Sequence, residues 1–64
     1  MNLFKCVFET KVNGININEG DIWQARIEEG RIVIKDTLMA FPVKELEVNK
    51  ELLINNFMPM NLGA

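Results

Sequence analysis

Any chemistry this chain performs must come from carboxylates, one thiol and one indole. Its 64 residues include no histidine, which removes the usual general base, the His-based triad and the commonest metal ligand. Cys6 is the sole cysteine, so neither a Cys-x-x-Cys zinc half-site nor an internal disulfide can form. As a nucleophile Cys6 needs a base beside it. On a strand face between Phe4 and Phe8 it reads instead as a small buried core residue. Carboxylates pair at Glu28-Glu29, Glu19/Asp21 and Glu45/Glu47. Such pairs can hold a cation or share acid–base work, but turns and outer strand positions are also the ordinary places for solvated charge. The four glycines are scattered over turns and the C-terminal tail, so no phosphate-cradling loop is present. These observations predict a protein that is not an enzyme and carries neither cofactor nor metal.

Binding is the remaining chemistry, and three sets of residues are candidates for it. Trp23 is the only tryptophan. Exposed, it would offer a large apolar contact to a protein partner; buried, it would fill a core that needs its largest side chain. Leu3, Val7 and Val33 fall on strand faces directed away from the expected core. With Met58, Met60 and Leu62 they would make an apolar patch for a partner or a second copy, unless the helix and tail cover them. Lys11, Arg26, Arg31 and Lys35 would form a modest basic stripe for nucleic acid if their faces align. Glu28, Glu29 and Asp36 interrupt that stripe, and aromatic residues for base stacking are scarce.

The elements that position these residues belong to a small chain. At this length a chain buries only about 60% of its unfolded surface, leaving room for one thin core. An apolar content of 48% with 25% charged residues is that of a folded globular domain. The net charge of −2 is spread among interspersed acids and bases, which weighs against a phosphate-binding surface. A lone cysteine suits a reducing compartment. The N-terminal residues show no basic region followed by a long apolar segment, and no run approaches the roughly 18 apolar residues of a membrane span. A cytoplasmic protein is expected, with one domain over residues 1–59 and a frayed tail over 60–64.

Residues 3–12 alternate, with Phe4, Cys6, Phe8, Thr10 and Val12 on one face, which predicts a half-buried strand. Asn13-Gly14 then predicts a two-residue type I′ hairpin pairing Val12 with Ile15 and Thr10 with Ile17. A turn at 18–21 leads to a strand over 22–27. Glu28-Glu29-Gly30 closes a second hairpin, and a strand over 31–35 turns Ile32 and Ile34 inward. A short strand at 38–41 is expected to end at Pro42, which cannot donate to a ladder. Residues 43–46 suit either a helical turn or the start of a strand running to Val48. Asn49 is a good N-cap for a short helix over 50–57, with Leu52, Leu53 and Phe57 on its apolar face and Pro59 stopping it.

Five short strands, tight turns and one helix predict a mainly β fold, a small five-stranded barrel with a short C-terminal α-helix. Two segments sharpen this. Ile17-Asn18-Glu19-Gly20-Asp21-Ile22 resembles the diverging turn of SH3 domains. Phe41-Pro42-Val43-Lys44-Glu45-Leu46-Glu47-Val48 is similar to their phenylalanine–proline, helical turn and final strand. The chain as a whole resembles short SH3-like β-barrel proteins encoded by phages and prophages of Gram-positive bacteria. The likeness runs through Lys5-Cys6, the block from Glu19 to Trp23, Gly30-Arg31-Ile32, and Val48-Asn49-Lys50-Glu51 through Phe57. It departs in a shorter first hairpin and in Asn49 where that family has serine. The resemblance implies an SH3-like fold and a mobile-element setting, and no activity. The tyrosines that line the proline-peptide groove of SH3 domains are missing, so the fold does not bring that ligand with it. The expected role is a protein-interaction module. The alternatives are a nucleic-acid-binding barrel and a structural subunit of a homo-oligomer.

Overall fold

A computed structural model describes residues 2–37 and 44–60. The elements are β1 (Asn2–Cys6), β2 (Thr10–Val12), β3 (Ile15–Ile17), β4 (Ile22–Glu28), β5 (Arg31–Asp36), β6 (Glu45–Val48), α1 (Lys50–Asn56) and β7 (Phe57–Pro59). They form a five-stranded sheet in the order β6-β5-β4-β1-β7 and a separate two-stranded hairpin, β2-β3. Every pairing is antiparallel. The fold is therefore mainly β with one short helix. Among the described residues the large sheet ends in two edges, β6 and β7, and is not closed into a barrel.

The first hairpin follows its turn chemistry. Asn13 and Gly14 both take positive φ, 49° and 79°, and the strands pair Val12 with Ile15 and Thr10 with Ile17. Such turns match the right-handed twist of the flanking strands. The β4–β5 hairpin has the same form. Glu29 and Gly30 both have positive φ, so a non-glycine residue shares the left-handed turn. Its register sets Glu28 opposite Arg31, Ile27 opposite Ile32 and Ala25 opposite Ile34.

One strand over residues 3–12 is not what forms. After Cys6 the chain leaves the sheet, bends at Val7 and Phe8, and starts the hairpin at Thr10. The bend is pinned from two sides. The Cys6 amide donates to the Asp21 carbonyl and the Gly20 amide donates to the Cys6 carbonyl, both at 2.8 Å. The Val7 amide donates to the Asn56 carbonyl at 2.8 Å, and the Asn56 side-chain amide donates to the Phe8 carbonyl at 2.9 Å. Phe8 consequently sits largely exposed instead of on the core face with Cys6.

Near the C-terminus, Asn49 caps α1 as expected, its Oδ1 accepting from the Leu52 amide at 2.8 Å. The helix stops at Asn56, before Pro59, because Phe57 turns extended and pairs opposite Cys6 in β7. This last strand has no counterpart in the sequence reading. Met60 continues it, its amide donating to the Leu3 carbonyl at 2.9 Å. Residues 45–48 are strand, not a helical turn. The strand expected at 38–41, Pro42, Val43 and the tail 61–64 lie outside the described residues.

The core comprises Cys6, Ile17, Trp23, Ala25, Ile34, Leu46, Val48 and Phe57, with Phe4, Val12, Ile15, Ile32, Leu52 and Leu53 packed against it. It lies on the inner face of the sheet. The hairpin contributes Ile17, Val12 and Ile15, and α1 contributes Leu52 and Leu53. Gly14 tests the hairpin directly, since no atom stands within 4 Å of a Cβ built there and only its φ of +79° opposes a side chain. Gly14→Val should therefore destabilise the fold by more than ~1 kcal/mol. Chemical denaturation reads this as a lower midpoint, and an unchanged midpoint would contradict the turn.

Candidate functional site

Trp23 points into the core. It is 1% exposed and lies opposite Phe4 on one side and Asp36 on the other. Its indole Nε1 is buried without a hydrogen-bond partner among the described residues, a cost that argues the ring is kept for its volume and not for its N–H. Trp23 is thus withdrawn as a surface contact for a partner. Cys6 is fully buried beside it, with Sγ donating to the Phe8 carbonyl at 3.2 Å. Burial pushes this thiol above its ordinary pKa, and the nearby Asp21, Glu19 and Glu9 carboxylates push the same way. No group of three or more candidate metal ligands comes together among the described residues.

On the outer face of the sheet the basic residues meet acids instead of one another. The Arg26 guanidinium donates to both carboxylate oxygens of Glu45, at 3.1 and 3.3 Å, and through Nε to Glu28 at 2.9 Å. Arg31 pairs with Glu29 at 3.4 Å and with Glu47 at 3.8 Å. Lys35 stands directly across the ladder from Glu45. Lys11 belongs to the other sheet, opposite Asn16. The four candidate cations therefore do not converge. The stripe is an alternating cross-strand charge pattern, which is a poor footprint for phosphates.

The expected outer apolar patch is also divided. Leu3 lies opposite Gln24 on β4, and Val33 lies between Arg26 and Glu47. The polar residues of β4 therefore stand between them. Val7 is in the bend beyond β1, and all three are only partly exposed. Met58, 55% exposed, and Met60 lie along the β7 side of β1 beside Leu3, so that part of the expected patch is brought together; Leu62 lies outside the described residues.

An open apolar groove lies on the inner face, at the end of the sheet marked by the β4–β5 hairpin. Strand pairing produces it. Among the described residues β1 pairs with β4 as far as Asn2, opposite Ala25, and β6 stops at Val48, opposite Ile32. The β4–β5 hairpin runs on past both, so Ile27 follows Trp23 and Ala25 on the inner face but has no described neighbour on the β1 side. It is 79% exposed. Across from it, α1 presents Leu53 and Ile54, the latter 65% exposed. Phe4, Ile32, Phe57 and Pro59 complete an apolar groove of about 560 Å³, and Lys50 is the one charged residue in its lining. A smaller depression of about 110 Å³ adjoins it past Asn2, Ala25 and Arg26. The sequence places Phe4, Ile32, Leu53 and Phe57 on inward or apolar faces and assigns none of the groove residues to a surface. One signal was present: Ile54 lies off the Leu52–Leu53–Phe57 face and so exceeds what the core needs. The exposure of Ile27 depends on how distant strands pair, and local pattern does not carry that.

The geometry makes two predictions. Hydrogen bonds from Arg26 hold the Glu45 carboxyl below its usual range, and Glu45 in turn raises Arg26. Because the folded value is depressed, the pair's contribution is present above the unfolded glutamate value, about 4.3. It is lost as pH falls through the lowered folded value. Carboxyl NMR titration should find Glu45 below the ordinary glutamate range and Arg26→Gln should move it back up; no movement would contradict the pairing. Buried and held protonated, Cys6 should react with a thiol reagent only after denaturant is added. Rapid labelling of the native protein would mean that the core opens there.

No helix among the described residues is long and apolar enough to cross a membrane. No protein-family model matches the chain, and neither does any curated protein or solved structure.

Proposed function

We propose that the chain is a non-enzymatic protein-interaction module built on an SH3-like plan and working in a reducing, cytoplasmic setting. Three features of the fold support that plan: a hairpin between the first two sheet strands, a two-residue turn between β4 and β5, and a helix delivering the last strand beside the first. Return of the chain end to β1 is what a closing barrel needs. The phage or prophage setting rests on the sequence resemblance alone.

The observation that carries the interaction role is the groove at Ile27 and Ile54. Two large aliphatic side chains stand exposed on either side of an apolar floor, while the outer-face arginines neutralise neighbouring acids. Burying each isoleucine fully contributes about 1.5–3 kcal/mol. Association costs at least about 4 kcal/mol in lost freedom, so these two contacts alone support weak, reversible binding. Tighter binding needs the groove floor as well.

A pull-down from cell lysate with the 64-residue chain, in parallel with Ile27→Asp and Ile54→Asp, tests this. Both positions are exposed, so the variants should keep the wild-type melting temperature. Partners should survive nuclease treatment and be lost with either variant. Loss of every partner after nuclease would refute the protein-interaction reading.

A further inference from the structure

We infer that the groove between α1 and the end of the β4–β5 hairpin takes an apolar helical segment of another protein bearing carboxylates on one flank. The inference rests on the interaction role proposed above and names the chemistry of the partner.

The argument starts from what the groove lacks. Its floor is a sheet face, made by side chains of Phe4, Ile27 and Ile32, and its wall is α1 with Leu53 and Ile54. The strand edges beside it are short: β7 has three residues and ends in Pro59, and β4 lacks a described partner on the β1 side only beyond Ala25. Proline offers no N–H, so an extended peptide has almost no ladder to join. Recognition must run through side-chain anchors, the mode in which an amphipathic helix lays residues at i, i+3 or i+4, and i+7 into an apolar trough.

Charge narrows the occupant further. Lys50 lines the groove and has no ion-pair partner among the described residues. Arg26, at the border of the adjoining depression, already holds Glu28 and Glu45. The unsatisfied charge of the groove is therefore positive, and a carboxylate on the ligand's flank answers it. Size decides against a second copy of the chain. A stable interface needs about 800 Å² and about 20–30 residues per partner, roughly a sixth of the 4683 Å² that this chain exposes. Eight residues line the groove, which suits one short segment.

The test is selection from a random peptide library displayed on yeast, using the folded chain as bait and Ile27→Asp as the counter-bait. The expected peptides have apolar residues at helical spacing with Asp or Glu beside them, and lose binding to Ile27→Asp. Lys50→Glu should weaken these peptides about tenfold or more and favour lysine-bearing versions, since like charges brought together are costly. Groove-dependent peptides that are basic, uncharged or proline-rich would overturn this inference and leave the interaction role standing. Absence of any groove-dependent peptide would overturn both. Light scattering provides the last arm: a dimer that Ile27→Asp abolishes would place a second copy in the groove and overturn the inference.

Discussion

Strand β1 is the constraint on which the rest of the structure depends. It is hydrogen-bonded on both sides, to β4 through Asn2–Lys5 and to β7 through Phe4–Cys6. One five-residue segment thus ties the central hairpin to the C-terminal strand. Its inward residues, Phe4 and Cys6, lie beside Trp23 and Phe57. Its exit at Cys6 is fixed by the Asp21 and Gly20 backbone, and Val7 and Phe8 are fixed by Asn56. Without β1 the helix and β7 would have no sheet to join, and a seven-residue helix does not persist alone.

The same strand decides what was legible in the sequence. Features that depend on a few consecutive residues could be read: the Asn13-Gly14 turn with its register, the hairpin at Gly30, the Asn49 cap. Each follows from the φ preference or hydrogen-bonding habit of one or two side chains. Features set by distant pairing could not. The alternation over 3–12 continues through the bend at Val7 and Phe8, because side-chain pattern does not record that Asn56 captures the backbone there. β7 is too short to have a pattern of its own, and Phe57 and Pro59 were absorbed into the helix and its stop. The groove belongs to this second class, since residues from β1, β4, β5, α1 and β7 line it together.

Trp23 shows how a thin core shapes function. A chain of this size has few large side chains, and burying the indole beside Ile17, Ile34 and Cys6 fills volume that smaller residues would leave open. The unpartnered Nε1 is tolerated for that volume. An aromatic that would serve as a binding anchor on a larger domain is used here as scaffold. The charged outer face is likewise committed, with Arg26 and Arg31 each divided between two glutamates. Such exposed pairs contribute little stability individually, but they leave no concentrated field for a polyanion.

What stays uncommitted is set by length. β4 has seven residues and so runs about 23 Å, while α1, also of seven residues, spans about 10 Å. The helix cannot cover the inner face that the strand presents, and the β2-β3 hairpin is occupied over Ile17 at the other part of the core. The chain has an isoleucine on each side of the gap, both largely exposed. Exposed aliphatic side chains facing one groove are what the proposed interaction role accounts for.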